Sequence, residues 1–423
     1  MVQQQCLALA RCSERGMKRR VIILNDQASV TGGSATVALA SARGLAAQGM
    51  DVTLFAAVGP VAPEIQNVPG LEVICLDQRE IVDDPNRLRA MRNGIANREA
   101  AARLGELLDA CDPAHTVIHV HSWMKALSPL ALHIAIRRGF KVVLTMHDFF
   151  ITCPTGGFFL PREGKICERK PLSPSCLTCS CDRRNYLHKL WRAARTFYQN
   201  HVLKVPEGIA HFVGVSEFSA SILRPHLPSG ARVTVVRNPT ECIDDGPAPV
   251  GTNEPFLFMG RFSQEKGVMM AAEACRRLKV PAVFIGDGEL AGRAREIYPE
   301  AQFTGWLRPE ESRAWLRKTR ALLFPPLWYE TLGLVVVEAA SAGVPAIVSD
   351  RCAAAEFLAD GKRGLHFSHG SVEALCTQIE LMKNGDTAAR LGRQAYNWYW
   401  ADPWDTRNHA LELTALYDRV LAA

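Results

Sequence analysis

Two doubly wound α/β domains in tandem, facing each other across a cleft, are the fold class this sequence predicts, and three observations predict it. Short runs rich in β-branched and apolar residues alternate with helix-period segments through most of the chain, the pattern of βαβ units and parallel sheets. A Gly/Pro/Asp-rich stretch at 238–255 interrupts the pattern, which then restarts. The length of 423 residues suits two domains, or three, and rules out a single small fold. Sheets of this kind bind ligands at the carboxyl ends of their strands, so residues that carry chemistry belong in loops that follow strands.

In chain order, strands are predicted at 21–24, 52–56, 73–76, 117–120, 142–146 and 212–215, with helices between them. After the interruption they recur at 256–259, 282–285, 321–324 and 346–348. This gives a first domain at 17–240 carrying an insertion at 151–204, a linker at 241–255, a second domain at 256–402 and a last segment at 403–423. That segment has a helical apolar face of Trp404, Leu411, Leu413, Leu416, Tyr417 and Leu421, which must dock somewhere. Met17 opens Met-Lys-Arg-Arg directly before the first strand, so residues 1–16 read as a disordered extension outside the fold. No signal-peptide pattern and no run near about 18 apolar residues is present, which predicts a cytoplasmic protein with at most peripheral membrane contact. Thirteen scattered cysteines fit reduced thiols better than a disulfide scaffold.

Charge is uneven. Residues 1–240 hold 29 Lys and Arg against 19 Asp and Glu, whereas 241–423 hold 20 against 24. A basic first half suggests an anionic partner, such as lipid head groups or a phosphorylated acceptor, although an ordinary solvated surface explains it equally well. Nucleic acid is not expected, because no nucleic-acid-binding motif accompanies the charge.

Three motifs fall where strands end. Gly32 and Gly33 stand between the first strand and a helix, where backbone without Cβ atoms can approach a phosphate or sugar, or simply make a turn. Gly260-Arg261-Phe262-Ser263-Gln264-Glu265-Lys266-Gly267 places a guanidinium and an ammonium five residues apart, both able to neutralise a diphosphate. There is no Asp-x-Asp to hold a divalent metal on such a group, so cations of the protein would replace it. The segment 325–339 runs from a strand end through a loop into an apolar helix, with Glu330 and Glu338 eight residues apart, about 12 Å if helical throughout. Each carboxylate could hold ligand hydroxyls, and Thr331, Leu332 and Gly333 would offer unpaired N–H groups between them. Glu338, among three valines and two alanines, needs a partner, either a ligand hydroxyl or an arginine.

Together, and in this order, these residues resemble the family-4 glycosyltransferases, retaining enzymes of the GT-B fold built from two Rossmann-like domains, and the resemblance covers nearly the whole chain. It implies a metal-independent hexosyl transfer from a nucleotide diphosphate sugar, UDP- or GDP-linked, to a saccharide or lipid-linked saccharide in polysaccharide assembly. By the same resemblance Arg261 and Lys266 take the diphosphate, Glu330 the donor sugar and Glu338 the ribose. Gly286 and Gly305 mark the strand-end and nucleotide-base loops, and Gly32 and Gly33 the glycine-rich loop. His121 resembles the active-site histidine near the transferred sugar, with His119 expected to point the other way as a structural residue. His147 and Asp148 should line the acceptor side, and the segment around Trp404 should cross back to the first domain. A nucleotide-sugar epimerase of the same architecture and a non-catalytic binder remain as alternatives.

The insertion carries Cys153, Cys167, Cys176, Cys179 and Cys181. The first four could hold a structural zinc, although only one C-x2-C is present. From 162 to 204 there are ten Lys and Arg against three acidic residues, interleaved with Tyr186, Leu187, Leu190, Trp191, Phe197 and Tyr198. That mixture predicts an interfacial helix, a lipid-linked acceptor site or a solvated helix over the core.

Overall fold

The computed structural model describes residues 19–359 and 361–423; the expected extension at 1–16 lies outside them. The first sheet contains β1 (Arg20–Gln27), β2 (Asp51–Val58), β3 (Leu71–Cys75), β4 (Thr116–Val120) and β5 (Lys141–Met146). A small antiparallel hairpin, β6 (Phe159–Leu160) and β7 (Lys165–Ile166), rises from the insertion. The sheet is completed by β8 (Ile209–Gly214) and β9 (Val233–Val235) in the order β3-β2-β1-β4-β5-β8-β9, all parallel. The second sheet contains β10 (Phe256–Met259), β11 (Ala282–Ile285), β12 (Gln302–Gly305), β13 (Ala321–Phe324), β14 (Ala346–Ser349) and β15 (Gly364–Phe367). Its order is β12-β11-β10-β13-β14-β15, again all parallel. The fold is therefore two doubly wound α/β domains.

Central strands such as β1 and β4 are buried along almost their whole length because helices cover both faces, and this is why they read as continuous apolar runs. β9, β12 and β15 were not among the predicted strands. All three are sheet edges with half-buried residues, and they lack the continuous apolar run that marks a strand covered on both faces.

Strand order reverses between β1 and β4 in one sheet and between β10 and β13 in the other, and a crevice opens outside the carboxyl ends at such a switch. The loops after these four strands carry Gly32, His121, Lys266 and Glu330. The final helix, Thr406–Leu421, packs on the first domain's helix Gly33–Ala47, so closely that a Cβ on Gly44 would lie 2.8 Å from Thr406. Leu413, Leu416 and Tyr417 join the first domain's core, while Trp404 belongs to the second domain's. Leu411, expected on the docking face, is exposed instead.

Candidate active site

In the second domain the loops after β10 and β13 meet. The Lys266 ammonium lies 2.5 Å from the Glu330 carboxylate and 5.1 Å from the centre of the Trp328 ring, whose N–H donates to the same Glu330 oxygen at 2.9 Å. Gly267 makes the approach possible: its φ is +74°, and a Cβ there would sit 1.9 Å from the carbonyl oxygen of Pro325. Arg261 is exposed at the mouth, where with Asp287, Gly288 and Trp306 it lines an open pocket of about 550 Å³. The Gly286 N–H donates to the Gly305 carbonyl at 2.9 Å, which ties the loops after β11 and β12 together behind that pocket.

Glu330 lies in the loop, and the helix begins only at Leu334, so an all-helical spacing does not describe the two carboxylates. Gly333 caps this helix at φ +83°, with the Phe324 ring 2.9 Å from where a Cβ would be. The N–H groups of Thr331, Leu332 and Gly333 donate to no described residue and are free for ligand oxygens. The Thr331 hydroxyl, by contrast, donates to the His147 carbonyl at 3.0 Å, and the Thr331 carbonyl accepts from the Ser216 hydroxyl at 2.7 Å. Both bonds join the domains. Glu338 opens to solvent within a recess of protein, where lost hydration raises its pKa against the opposing field of Arg313. Its carboxylate forms no hydrogen bond or ion pair with another described residue, although its carbonyl accepts the Ser341 hydroxyl at 2.8 Å.

In the first domain the buried Asp26 at the end of β1 organises the loop after β4. Its carboxylate accepts the N–H groups of Lys125, Ala126 and Leu127 at 2.9 Å each and the Ser122 hydroxyl at 2.5 Å. Neither Asp26 nor Trp328 was a sequence candidate. A polar residue at the carboxyl end of an apolar strand is the signal that could have marked Asp26.

His121 Nδ1 and His147 Nε2 share a hydrogen bond of 2.9 Å, and His121 Nε2 is buried without a protein partner. Burial holds both histidines far below the usual imidazole pKa, His147 at about 3, so both are neutral at pH 7. The expectation that His119 points the other way was mistaken. Residues two apart on a strand share a face, and the two rings are 4.3 Å apart. His119 lies deeper, with Nδ1 on the Tyr417 hydroxyl at 2.6 Å and Nε2 on Thr145 at 2.7 Å. Asp148 is half-buried and accepts the Phe150 N–H at 2.9 Å; lost hydration raises its pKa to about 6. Gly32 and Gly33 are exposed at the start of their helix, and Cβ atoms on them would meet nothing within 4 Å.

The zinc expectation needs correction. Cys153, Cys167, Cys176 and Cys181 line one small cavity, and Cys179 does not. The fully buried Lys189 ammonium reaches in and lies 3.3 Å from Cys176 Sγ, a cation where a metal site needs none. Among the described residues no group of three or more His, Cys, Asp and Glu is arranged to hold a metal ion. The helix Tyr186–Phe197 also differs from a basic interfacial helix. Its Lys189, Arg192 and Arg195 turn inward, to Cys176, to Asp182 at 2.9 Å and to the Met124 carbonyl at 3.0 Å, while Leu187 and Leu190 face out.

Comparison with known proteins identifies this architecture. The family model described as Glycosyltransferase Family 4 matches residues 31–242, and that described as Glycosyl transferases group 1 matches 243–398. A glycogen synthase of Mycobacterium tuberculosis is 28% identical over 207 residues, 45% of this chain and 49% of that one. A GDP-mannose-dependent alpha-mannosyltransferase of Corynebacterium glutamicum is 34% identical over 120 residues, 28% of each chain. The chain thus spans half or less of the length of these curated relatives. Among solved structures, sucrose-phosphate synthase of Thermosynechococcus elongatus superposes with a TM-score of 0.69 at 16% identity, covering 96% of this chain and all of that one. Anabaena HepE, solved with UDP, does so at 0.62 and 14%, covering 95% and 100%. With both halves matched by paired family models and both sheets in this arrangement, the chain belongs to the family-4 glycosyltransferases of the GT-B fold.

Proposed function

We propose that the protein is a retaining glycosyltransferase that moves a hexose-type sugar from a UDP- or GDP-sugar to a saccharide or lipid-linked saccharide, in polysaccharide or glycoconjugate assembly. The observation that carries this reading is the meeting of Lys266, Glu330 and three free N–H groups at the carboxyl ends of β10 and β13, with Arg261 at the mouth. Arg261 and Lys266 neutralise the diphosphate and the charge that develops on it as the sugar leaves, a preorganised contribution that needs no metal. Glu330 takes donor-sugar hydroxyls and Glu338, whose carboxylate has no partner among the described residues, the ribose. Neutral His121 offers Nε2 to the transferred sugar, and the leaving phosphate serves as base for attack on the same face. His147 and Asp148 flank the acceptor. HepE was solved with UDP and with UDP-glucose, and the Corynebacterium relative is GDP-mannose-dependent, so both bases belong in the test.

Thermal unfolding in the presence of UDP, GDP, ADP and their common sugar conjugates tests the reading. One nucleotide at 100 times its dissociation constant should add about 2.7 kcal/mol and raise the midpoint. A folded protein that responds to none of them would count against a donor site.

The acceptor side also supports contact with an anionic membrane. No helix of the described residues is long and apolar enough to cross a bilayer. Two neighbouring helices, Arg87–Ile95 and Tyr186–Phe197, nevertheless expose Leu88 and Leu187 at 80% and 76%, with Met91 and Leu190 beside them. The Trp191 N–H holds the pair together through the Met91 carbonyl at 3.2 Å, and Arg87 and Arg92 on the first helix and Arg184 just before the second are exposed. An apolar ridge with arginines at its edge suits the head-group boundary. The protein should float with vesicles containing anionic lipid at low salt, and Leu88→Glu with Leu187→Glu should release it. Equal recovery of wild type and variant would exclude this ridge as the contact.

A further inference from the structure

The insertion touches the second domain at the residues that flank the Lys266–Glu330 pair. Arg183 reaches from it to the carboxylate of Glu265, the residue directly before Lys266. Glu265 is only 4% exposed. Burial pushes its pKa up, but the hydrogen bond and charge of Arg183 outweigh this and hold it below the usual value. The Glu265 carbonyl accepts the Leu327 N–H at 2.8 Å, so this one residue joins the loops after β10 and β13 through its backbone and meets the first domain through its side chain. Close by, the Trp328 ring lies over Gly157, Gly164 abuts the side-chain amide of Gln264, and Arg351 stands 3.6 Å from Glu168. Arg183 has a fixed base. The buried Asp182 beside it pairs with Arg192 at 2.9 Å and accepts the Arg184 N–H at 2.9 Å.

We propose that Arg183 is a positioning residue through which the acceptor-side insertion sets, by way of Glu265, the place of Lys266 in the donor site. The inference rests on reading the Gly260–Gly267 loop as the donor loop. Without the guanidinium, Glu265 keeps a buried carboxylate with no cation beside it, and such a group moves toward water or takes up a proton. Either change shifts the turn Gln264–Lys266, because Glu265 lies at its centre.

The test uses the full chain and five proteins: wild type, Arg183→Ala, Arg183→Lys, Glu265→Gln and the double variant Arg183→Ala with Glu265→Gln. In the ligand-free state, hydrogen exchange at 260–267 should be faster in Arg183→Ala and Glu265→Gln than in wild type. The donor KM should rise about tenfold in Arg183→Ala with kcat changed less, and Arg183→Lys should recover part of the loss. Glu265→Gln added to Arg183→Ala should cost little more, because both remove one interaction. Wild-type exchange and wild-type donor KM in Arg183→Ala would overturn the proposal. The exchange readout needs no ligand, so it can fail while nucleotide still stabilises the protein. If wild type binds no nucleotide, the functional reading fails and the exchange result still decides the brace.

Discussion

Lys266→Ala and Glu330→Ala should each lower sugar transfer by at least about 10²–10³-fold while leaving the protein folded, because each removes preorganised charge from the reacting centre. The two side chains are paired at 2.5 Å, and Trp328 supports the carboxylate. The pair keeps a cation next to the diphosphate position in a partly buried place, so an isolated charge need not be brought in when the donor arrives. Removing Lys266 leaves Glu330 to repel the phosphates; removing Glu330 leaves Lys266 unplaced and the sugar without its acceptor of hydroxyl hydrogens. The double variant should therefore be little worse than either single one, as expected for groups that act as a unit. Initial rates with the donor identified by thermal shift, alongside circular dichroism of each variant, make the measurement. Wild-type rates in either single variant would remove this pair from the catalytic machinery.

The second large effect is on stability. The unfolding free energy should fall as pH drops from about 6.5 toward 4, by up to about 1.4 kcal/mol per pH unit for each histidine held neutral. His119, His121 and His147 are packed together, and burial lowers all three pKa values. A depressed imidazole is neutral in both states above 6.5, so its contribution is fully present there. Below 6.5 the unfolded chain takes up protons that the folded chain refuses, and stability is lost. His409, held at about 4 by burial while its Nδ1–H donates to the Arg237 carbonyl and its Nε2 accepts from the Ser41 hydroxyl, acts in the same direction. Asp148 opposes them between about 6 and 3.8, since its folded form holds the proton more tightly than the unfolded one. Arg195, Lys125 and Asp26 are the charged groups that act on Asp148, the first two favouring its ionised form and the third opposing it. Urea midpoints at pH 7.5 and 5 decide the point, and equal midpoints would show that the histidines are not kept neutral. His121→Asn should flatten the dependence.

Much of the architecture was legible in the sequence. Parallel strands covered by helices on both faces are nearly pure apolar runs, so β1, β4, β10 and β13 stand out, and with them the loops that follow. The edge strands β9, β12 and β15 carry no such run and escaped notice. The motifs on the four central loops were readable for the same reason: glycines and charges interrupt the apolar pattern where the strands end. Asp26 was readable in principle, as a polar residue at the end of β1, but what it binds, the backbone of residues 125–127, lies a hundred positions away.

The sequence by itself thus determined the fold class, the order of the elements and the residue types at the strand ends, because these depend on local periodicity and on the side chain each position offers. Only the tertiary structure decided which of those residues meet. Lys266 with Glu330, Arg183 with Glu265, His121 with His147, and Lys189 with Cys176 are contacts that local periodicity does not fix. A spacing such as C-x2-C or E-x7-E fixes distances only while the backbone between stays regular. In the insertion and in the loop after β13 it does not, so packing chose Cys181 over Cys179 and turned the cations of the helix Tyr186–Phe197 inward.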